Sequence, residues 1–580
     1  MSSWRRTLRE KLAAYARGPL VCLLRLFAGR MFHGAGDSGA EELDMGAGIL
    51  LIFLAMPGTL VSLLMFEKYG SLIRYLRGDK LFDPYVATIP DEYFFIVLSM
   101  AVTAGAVLWR WDSIFLDRRD YANLVPLPVS LRHIFLANLA AVFSLAFVLT
   151  IVVNAGSFFL FPIAVQGSQN SVLMLFRFAW GHSASVILAS AFSFLAVFAF
   201  SGCLLAVLPF RTFRKISLYV RFFIALCLLA MLASTLTAVS LFSPNSHDLR
   251  FQFGLFPPIW FLGITETLWG RGNDIFFAAM AHRALIGLAL ALFVSVFAYA
   301  LSFRRSFVRI PETADVGPLP RMRRFRLHGA LLDGTILRSE HLRACYHFVL
   351  RTLLRSEAHL QVILAFAALG IIVAAETVRD TFAVYERSTL VPLSPELLAI
   401  PFILGYCVLV GMRFAFEIPA DLRANWLFRL WISLEGEQAR PLARRVLLTF
   451  TLAWLAPACF LYSIFLWGWL LALLHTTILI LSCLILVEVL LVRFRKIPFT
   501  CPYPAFQSDS TLVLVAALFG FLAFAVYIPE FEQWSLTEPW RVLLFVLLTV
   551  ISLIGLRQYR KQMLDMDKQL VFEDPAPSGF

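Results

Sequence analysis

Long apolar runs, nearly free of charge, alternate with shorter polar or basic segments along the whole chain. The runs cover about residues 47–66, 93–109, 134–162, 183–208, 217–242 and 276–302; after a basic stretch they resume at about 359–378, 395–415, 446–471, 474–492, 511–529 and 541–557. Most reach the roughly 20 residues a helix needs to cross a bilayer, and only a helix or a closed barrel can satisfy backbone N–H and C=O groups in hydrocarbon. A barrel strand would alternate apolar and polar residues over about 10 positions; the uncharged run Phe222 to Phe242 excludes that. The pattern predicts an all-α, polytopic integral membrane helical bundle of about 12 spans, the ninth and tenth being the least clearly divided.

Two shorter segments break the rhythm. Leu20 to Phe32 carries Leu23, Leu24, Phe27 and Met31 near helical spacing, which predicts a helix lying in the membrane interface with Arg25 and Arg30 reaching the headgroups. Phe251 to Gly270 is aromatic and interrupted by Pro257-Pro258. It is too short for two crossings, and is expected either to dip into the outer leaflet as a re-entrant pair of short helices, the favoured reading, or to lie on the surface.

The spans fall into two sets of six. This divides the chain into an N-terminal segment 1–46 with the interfacial helix, a first half 47–302, a basic linker 303–358, a second half 359–557 and a tail 558–580. Placing Asn123 over Asn425 lays the second span over the eighth, and the helix-like basic piece Ile336 to Leu360 precedes the seventh span as 20–32 precedes the first. Two parallel, pseudo-repeated halves are expected from this.

Composition agrees with the pattern: 60% of residues are apolar and 15% charged, against about 45–50% and about 25% in soluble domains. The net charge of +12 would suit nucleic acid if it were spread at random, but most of the fifty Lys and Arg fall in alternate connecting segments, with eleven arginines in 303–358. Lys and Arg stay preferentially on the cytoplasmic side, so both termini are expected there and no nucleic-acid partner is. The eight cysteines never form C-x-x-C, and read as small buried hydrophobes.

The positive signal lies between the second and third spans, in Trp109 to Asn138: W-R-W-D-S-I-F-L-D-R-R-D-Y-A-N-L-V-P-L-P-V-S-L-R-H-I-F-L-A-N. Arg413 to Trp431 echoes it, again following an apolar span, opening with aromatic residues among charges and sharing an Ala-Asn pair. Both segments are expected to face the cytosol as docking handles for partner subunits. Asp117, Arg118, Arg119, Asp120, Asp421 and Arg423 would make the contacts, with Asn123, Asn425 and Trp426 beside them. Pro126, Pro128 and Pro419 set elbows, since proline stops a helix from continuing, and Ser130 can cap the helix that enters the third span.

Other chemistry is sparse. No G-x-x-x-x-G-K-[ST] occurs, nor any Gly-Lys pair, so a Walker phosphate loop is absent and any ATPase must be another polypeptide. The ionisable residues read inside spans are Arg221, His282, Arg283, Glu376 and Glu488, all near ends. No midplane carboxylate relay is expected, and no catalytic or metal site, because histidines at i, i+4 and H-E-x-x-H are missing.

Asp117 to Asn138 resembles the stretch after the second span in permeases of type-2 ABC exporters, where an acidic and basic run leads into L-P-V-S and a helix opening on an apolar-aromatic pair. Asn138 departs from the lysine frequent in that family. The layout of interfacial helix, six spans and outer re-entrant element is also similar. The resemblance implies a plasma-membrane (bacterial inner-membrane) permease with two half-permeases fused in one chain. It would have no cofactor of its own, and ATP and magnesium would be bound by separate cytosolic ABC ATPase subunits, two per chain. Its other partners would be membrane lipids, and its substrate is undefined; phenylalanine-rich walls suit an amphiphilic cargo and equally suit lipid packing. The alternatives are a major-facilitator-type secondary transporter, whose signature D-R-R matches in part but without its glycines, and a non-transporting scaffold or lipid-modifying enzyme.

Overall fold

A computed structural model describes residues 18–33, 40–70, 84–109, 111, 124, 126–166, 172–237, 254–271, 275–309, 340–385, 393–418, 439–492, 494, 498–499 and 519–565. Regular structure among these is helical, with no strand, and ten helices are long and apolar enough to cross a membrane. The chain divides into two compact units, Met1–Leu319 and Pro320–Phe580.

The first unit contains α1 (Pro19–His33), α2 (Ala40–Tyr69), α3 (Pro84–Trp109), α4 (Leu131–Asn154), α5 (Ser157–Gln166), α6 (Val172–Val207), α7 (Phe210–Ala233), α8 (Pro257–Glu266) and α9 (Ile275–Arg309). The candidate span over α3 is the most buried of this unit. It is central, packed against α6, α7, α8 and α4. The third expected span is α4 continued by α5 across a break at Ala155–Gly156.

In place of the expected pair of short helices, the described part of this segment forms one, α8, followed by a π turn Thr267–Arg271; Pro257 and Pro258 stand in its first turn, where a missing N–H leaves no helical bond unmade. Ten residues rise only about 15 Å, half a bilayer. Gly263 lets α8 lie directly on α9: a Cβ there would stand 2.5 Å from the carbonyl oxygen of Phe277 and 2.7 Å from the nitrogen of Ala281.

The second unit contains α10 (Glu340–Arg355), α11 (Glu357–Tyr385), α12 (Pro395–Ala415), α13 (Ala439–Trp467), α14 (Trp469–Leu490), α15 (Ile528–Leu536) and α16 (Pro539–Asp565). Here α12 is the most buried candidate span. Ser394 caps it, accepting from the Leu397 N–H, and Pro395 opens its first turn. The ninth and tenth expected spans are parted at Gly468, whose φ of 88° is open to glycine and strained for other residues. The two helices fold back on each other, Thr476 Oγ1 reaching Cys459 Sγ at 3.8 Å.

The structure begins the second span earlier than the apolar run suggested. Asp91 and Glu92, which precede the apolar run 93–109, lie inside α3 and are buried. They are tolerated there because each is matched: Lys68 Nζ meets Asp91 at 2.7 Å, Tyr69 donates to it at 2.6 Å, and His182 meets Glu92 at 2.7 Å. Two expected spans are not among the ten. The run 47–66 lies within the helix Ala40–Tyr69, and only the 519–529 portion of 511–529 is described.

Candidate functional site

Of the expected docking residues, Asp117, Arg118, Arg119, Asp120 and Asn123 in the first stretch and Pro419, Asp421, Arg423, Asn425 and Trp426 in the second lie outside the described residues. Pro126 and Pro128 lie inside, with the root from which the first stretch departs.

That root is packed. Trp111, just past α3, is fully buried, and Leu124 nearly so. They share one apolar cluster with Leu23 and Phe27 of α1, Val107 and Leu108 of α3, and Ile134 and Ala137 of α4. The face of α1 that periodicity marked as apolar thus rests on this junction. Arg221 of α7 is buried as well, its guanidinium 5.7 Å over the Trp111 ring and its Nε donating to Ser217 at 3.2 Å.

From Leu124 the chain turns sharply. Pro126 and Pro128 have no N–H, so Leu127 and Val129 supply the donors of the elbow: Leu127 N–H donates to the Leu124 carbonyl at 3.2 Å and Val129 N–H to the Leu127 carbonyl at 2.7 Å. Ser130 then caps α4 as expected, its hydroxyl accepting from the His133 N–H at 3.4 Å and bonding His133 Nδ1 at 2.6 Å. Pro126, Leu127 and Pro128 are exposed. The arrangement has a fixed base, a stiff exposed bend and a capped long helix, and can carry a displacement into α4.

The second stretch also departs from an anchored base, through contacts the residue pattern did not reveal. Phe416 is fully buried and packs on Phe494 and Phe499. His359 near the start of α11 bonds the Ile418 carbonyl through Nε2 at 2.9 Å and Ser356 through Nδ1. Arg413 pairs with Glu417, donates from Nε to the Leu490 carbonyl at 3.1 Å and lies 4.9 Å over the Phe494 ring.

Buried ionisable groups are more numerous than the residue pattern implied. His182 of α6 is fully buried; its Nδ1 bonds Glu92 Oε2 at 2.7 Å, while Thr265 of α8 donates to Glu92 Oε1 at 2.8 Å. Four phenylalanines surround the His182 ring: Phe95, Phe158, Phe161 and Phe178. In the second unit His475 of α14 bonds Glu532 of α15 through Nδ1 at 2.7 Å, and Phe402 and Trp467 stand beside its ring. Neither pair leaves more than a trace of either side chain exposed.

A histidine and a glutamate far apart in the chain give no local motif, the glutamates lying outside the apolar runs, just before 93–109 for Glu92 and between 511–529 and 541–557 for Glu532. The one available signal was the setting of His475, in the middle of the stretch 446–487 that carries no charge, whereas His182 stands just before the run 183–208 and five residues from Arg177. Of the ionisable residues read inside spans, Glu376 pairs with Arg379 at 2.5 Å, Glu488 with Arg444 at 3.2 Å, and Arg283 donates to the Gly254 carbonyl at 2.8 Å. Among the described residues no three His, Cys, Asp or Glu side chains are grouped to hold a metal ion.

Polar pairing continues along the α3–α6 seam. Ser99 bonds Ser190, Thr103 and Ser193 stand 2.9 Å apart, and Asn154 donates to Ser99 at 2.7 Å. In hydrocarbon such pairs act as interhelical glue, each worth about 0.6 kcal/mol on average. No protein-family model matches the chain, and no curated protein or solved structure is similar to it.

Proposed function

We propose that the chain is the membrane permease subunit of an ATP-driven exporter of the ABC type, moved by separate ATPase subunits that dock on the two cytosolic stretches. The observation that carries this reading is the packed root of the first stretch: α1, the end of α3, Trp111, Leu124 and the start of α4 form one cluster, with a proline elbow and a capped helix leading away. A push delivered to residues 112–123 would meet a stiff joint and be passed into α4.

The two units support a fused pair of halves. Each has an amphipathic helix before its first long helix, a most-buried second span, and a short helix next to its last span. Each also has a buried histidine in its fourth span, bonded to a carboxylate at 2.7 Å. Both termini would be cytoplasmic and the membrane would be the plasma membrane. The cargo is defined only by its route between apolar walls.

Affinity purification of the whole chain in mild detergent tests the reading, with a stoichiometric ATPase as the expected companion. Replacing Arg118 and Arg119 together by alanine should lower transport per ATP hydrolysed while leaving the fold intact. Full transport with normal complex yield in that variant would refute the docking role.

One observation favours a second reading, proton-coupled secondary transport. The Glu92–His182 and His475–Glu532 pairs are buried ionisable groups of the kind that mark proton paths in membranes. Transport driven by a pH gradient, without any ATPase companion, would select it.

A further inference from the structure

The helix α10 has two faces of opposite character. Tyr346, Val349 and Leu353 are buried in the core of the second unit, and the Tyr346 hydroxyl is 2.7 Å from Thr449 of α13. Arg343, His347, Arg351 and Arg355 recur every fourth residue, so they form one stripe along the helix, roughly 150° around from the buried residues at 100° per position. With Glu340, Phe348, Thr352 and others they line an open cavity of about 920 Å³.

Ser356 is all that separates α10 from α11, a candidate span. The basic stripe therefore ends where that span meets the membrane surface. It runs for about 18 Å at 1.5 Å per residue, parallel to a face already fixed to the protein. A helix that only floated in the interface would insert its apolar side into lipid; here that side is occupied by protein, which leaves the arginine face as the one that can meet headgroups.

We infer that the α10 stripe is a binding site for the phosphate headgroup of an anionic phospholipid. Arginine suits this ligand because its planar fork matches phosphate oxygens and stays charged at every working pH. Arg351 and Arg355 are exposed while Arg343 and His347 are half-buried, so the end of the stripe next to α11 is the more open to a headgroup. Glu340 is the acidic residue lining the same cavity, and it disfavours anions at that end. The site thus sits toward Arg351 and Arg355.

The test places the full chain in phosphatidylcholine nanodiscs doped with phosphatidylglycerol, extracts it gently, and measures the retained lipids by mass spectrometry. The parent should hold phosphatidylglycerol in excess over its share of the bilayer. Each basic residue at an anionic surface contributes about a fivefold preference, so Arg343→Gln/Arg351→Gln/Arg355→Gln should reduce the enrichment on the order of a hundredfold. The triple Arg→Lys variant should keep most of it.

Should the triple Gln variant fail to fold, Arg351→Glu alone, at an exposed position, should still lower the enrichment by at least about fivefold. Undiminished enrichment in folded variants overturns the inference. So does complete displacement of the lipid by inorganic phosphate, which would assign the stripe to a soluble phosphate compound, or displacement by an acidic peptide, which would assign it to a protein.

Discussion

Replacing His475 by leucine removes the one hydrogen-bonding partner that, among the described residues, holds Glu532 Oε1, at 2.7 Å. Glu532 is fully buried and His475 nearly so, so water cannot take the place of the lost donor. Breaking one side of such a buried pair typically costs about 3–5 kcal/mol, whereas replacing both sides by apolar groups of similar volume is often neutral. With about 2–4 °C of melting temperature per kcal/mol for a unit of this size, His475→Leu should melt roughly 6–20 °C below the parent. His475→Leu/Glu532→Leu should recover most of that loss, giving a coupling of about 3 kcal/mol in the cycle. Thermal unfolding in detergent, followed by tryptophan fluorescence, reads all four corners. Arg379→Gln is the control: its partner Glu376 is a neighbour on the same helix and Arg379 is 43% exposed, so screening keeps the effect within about 0.5 kcal/mol. Additive losses in the double variant, or a His475→Leu variant that melts with the parent, would refute the claim that the pair is held together by mutual need.

Ser130→Ala removes the α4 cap and should cost about 1 kcal/mol, read as a small fall in melting temperature and increased hydrogen exchange at His133. Gly263→Val places side-chain atoms where the Phe277 carbonyl and Ala281 amide already stand; overpacking of about 1–3 kcal/mol or more should lower both melting temperature and yield of folded protein. Gly468→Ala puts a side chain at φ 88° and ψ 173°, a region essentially confined to glycine, and should destabilise by about 1–3 kcal/mol, while Gly468→Asn should lose as much in the same melt, because asparagine tolerates only the left-handed helical region at much smaller ψ.

The spans were legible because the requirement for internally satisfied backbone imposes an unmistakable length of apolar residues. Their ends were less so wherever a charge was neutralised by a distant partner: Asp91 and Glu92 look like loop residues until Lys68 and His182 are brought beside them. The elbow at Pro126–Ser130 could be read because proline and serine act locally, on the next few amides. The anchoring of the second stretch could not, since His359, Phe416 and Phe499 meet only after the chain has crossed and returned. The same distance hid both histidine–glutamate pairs. The apolar face of α1, by contrast, follows directly from helical periodicity.

The link between Trp467 and Trp469 is a single glycine. With no polar stretch between the two helices, there is nothing to be threaded across the bilayer ahead of the second one. A nascent chain would have to deliver α13 and α14 to the lipid together, as one prefolded hairpin leaving the translocation machinery. An epitope tag inserted after residue 468 should therefore impair biogenesis more than the same tag in any longer connection.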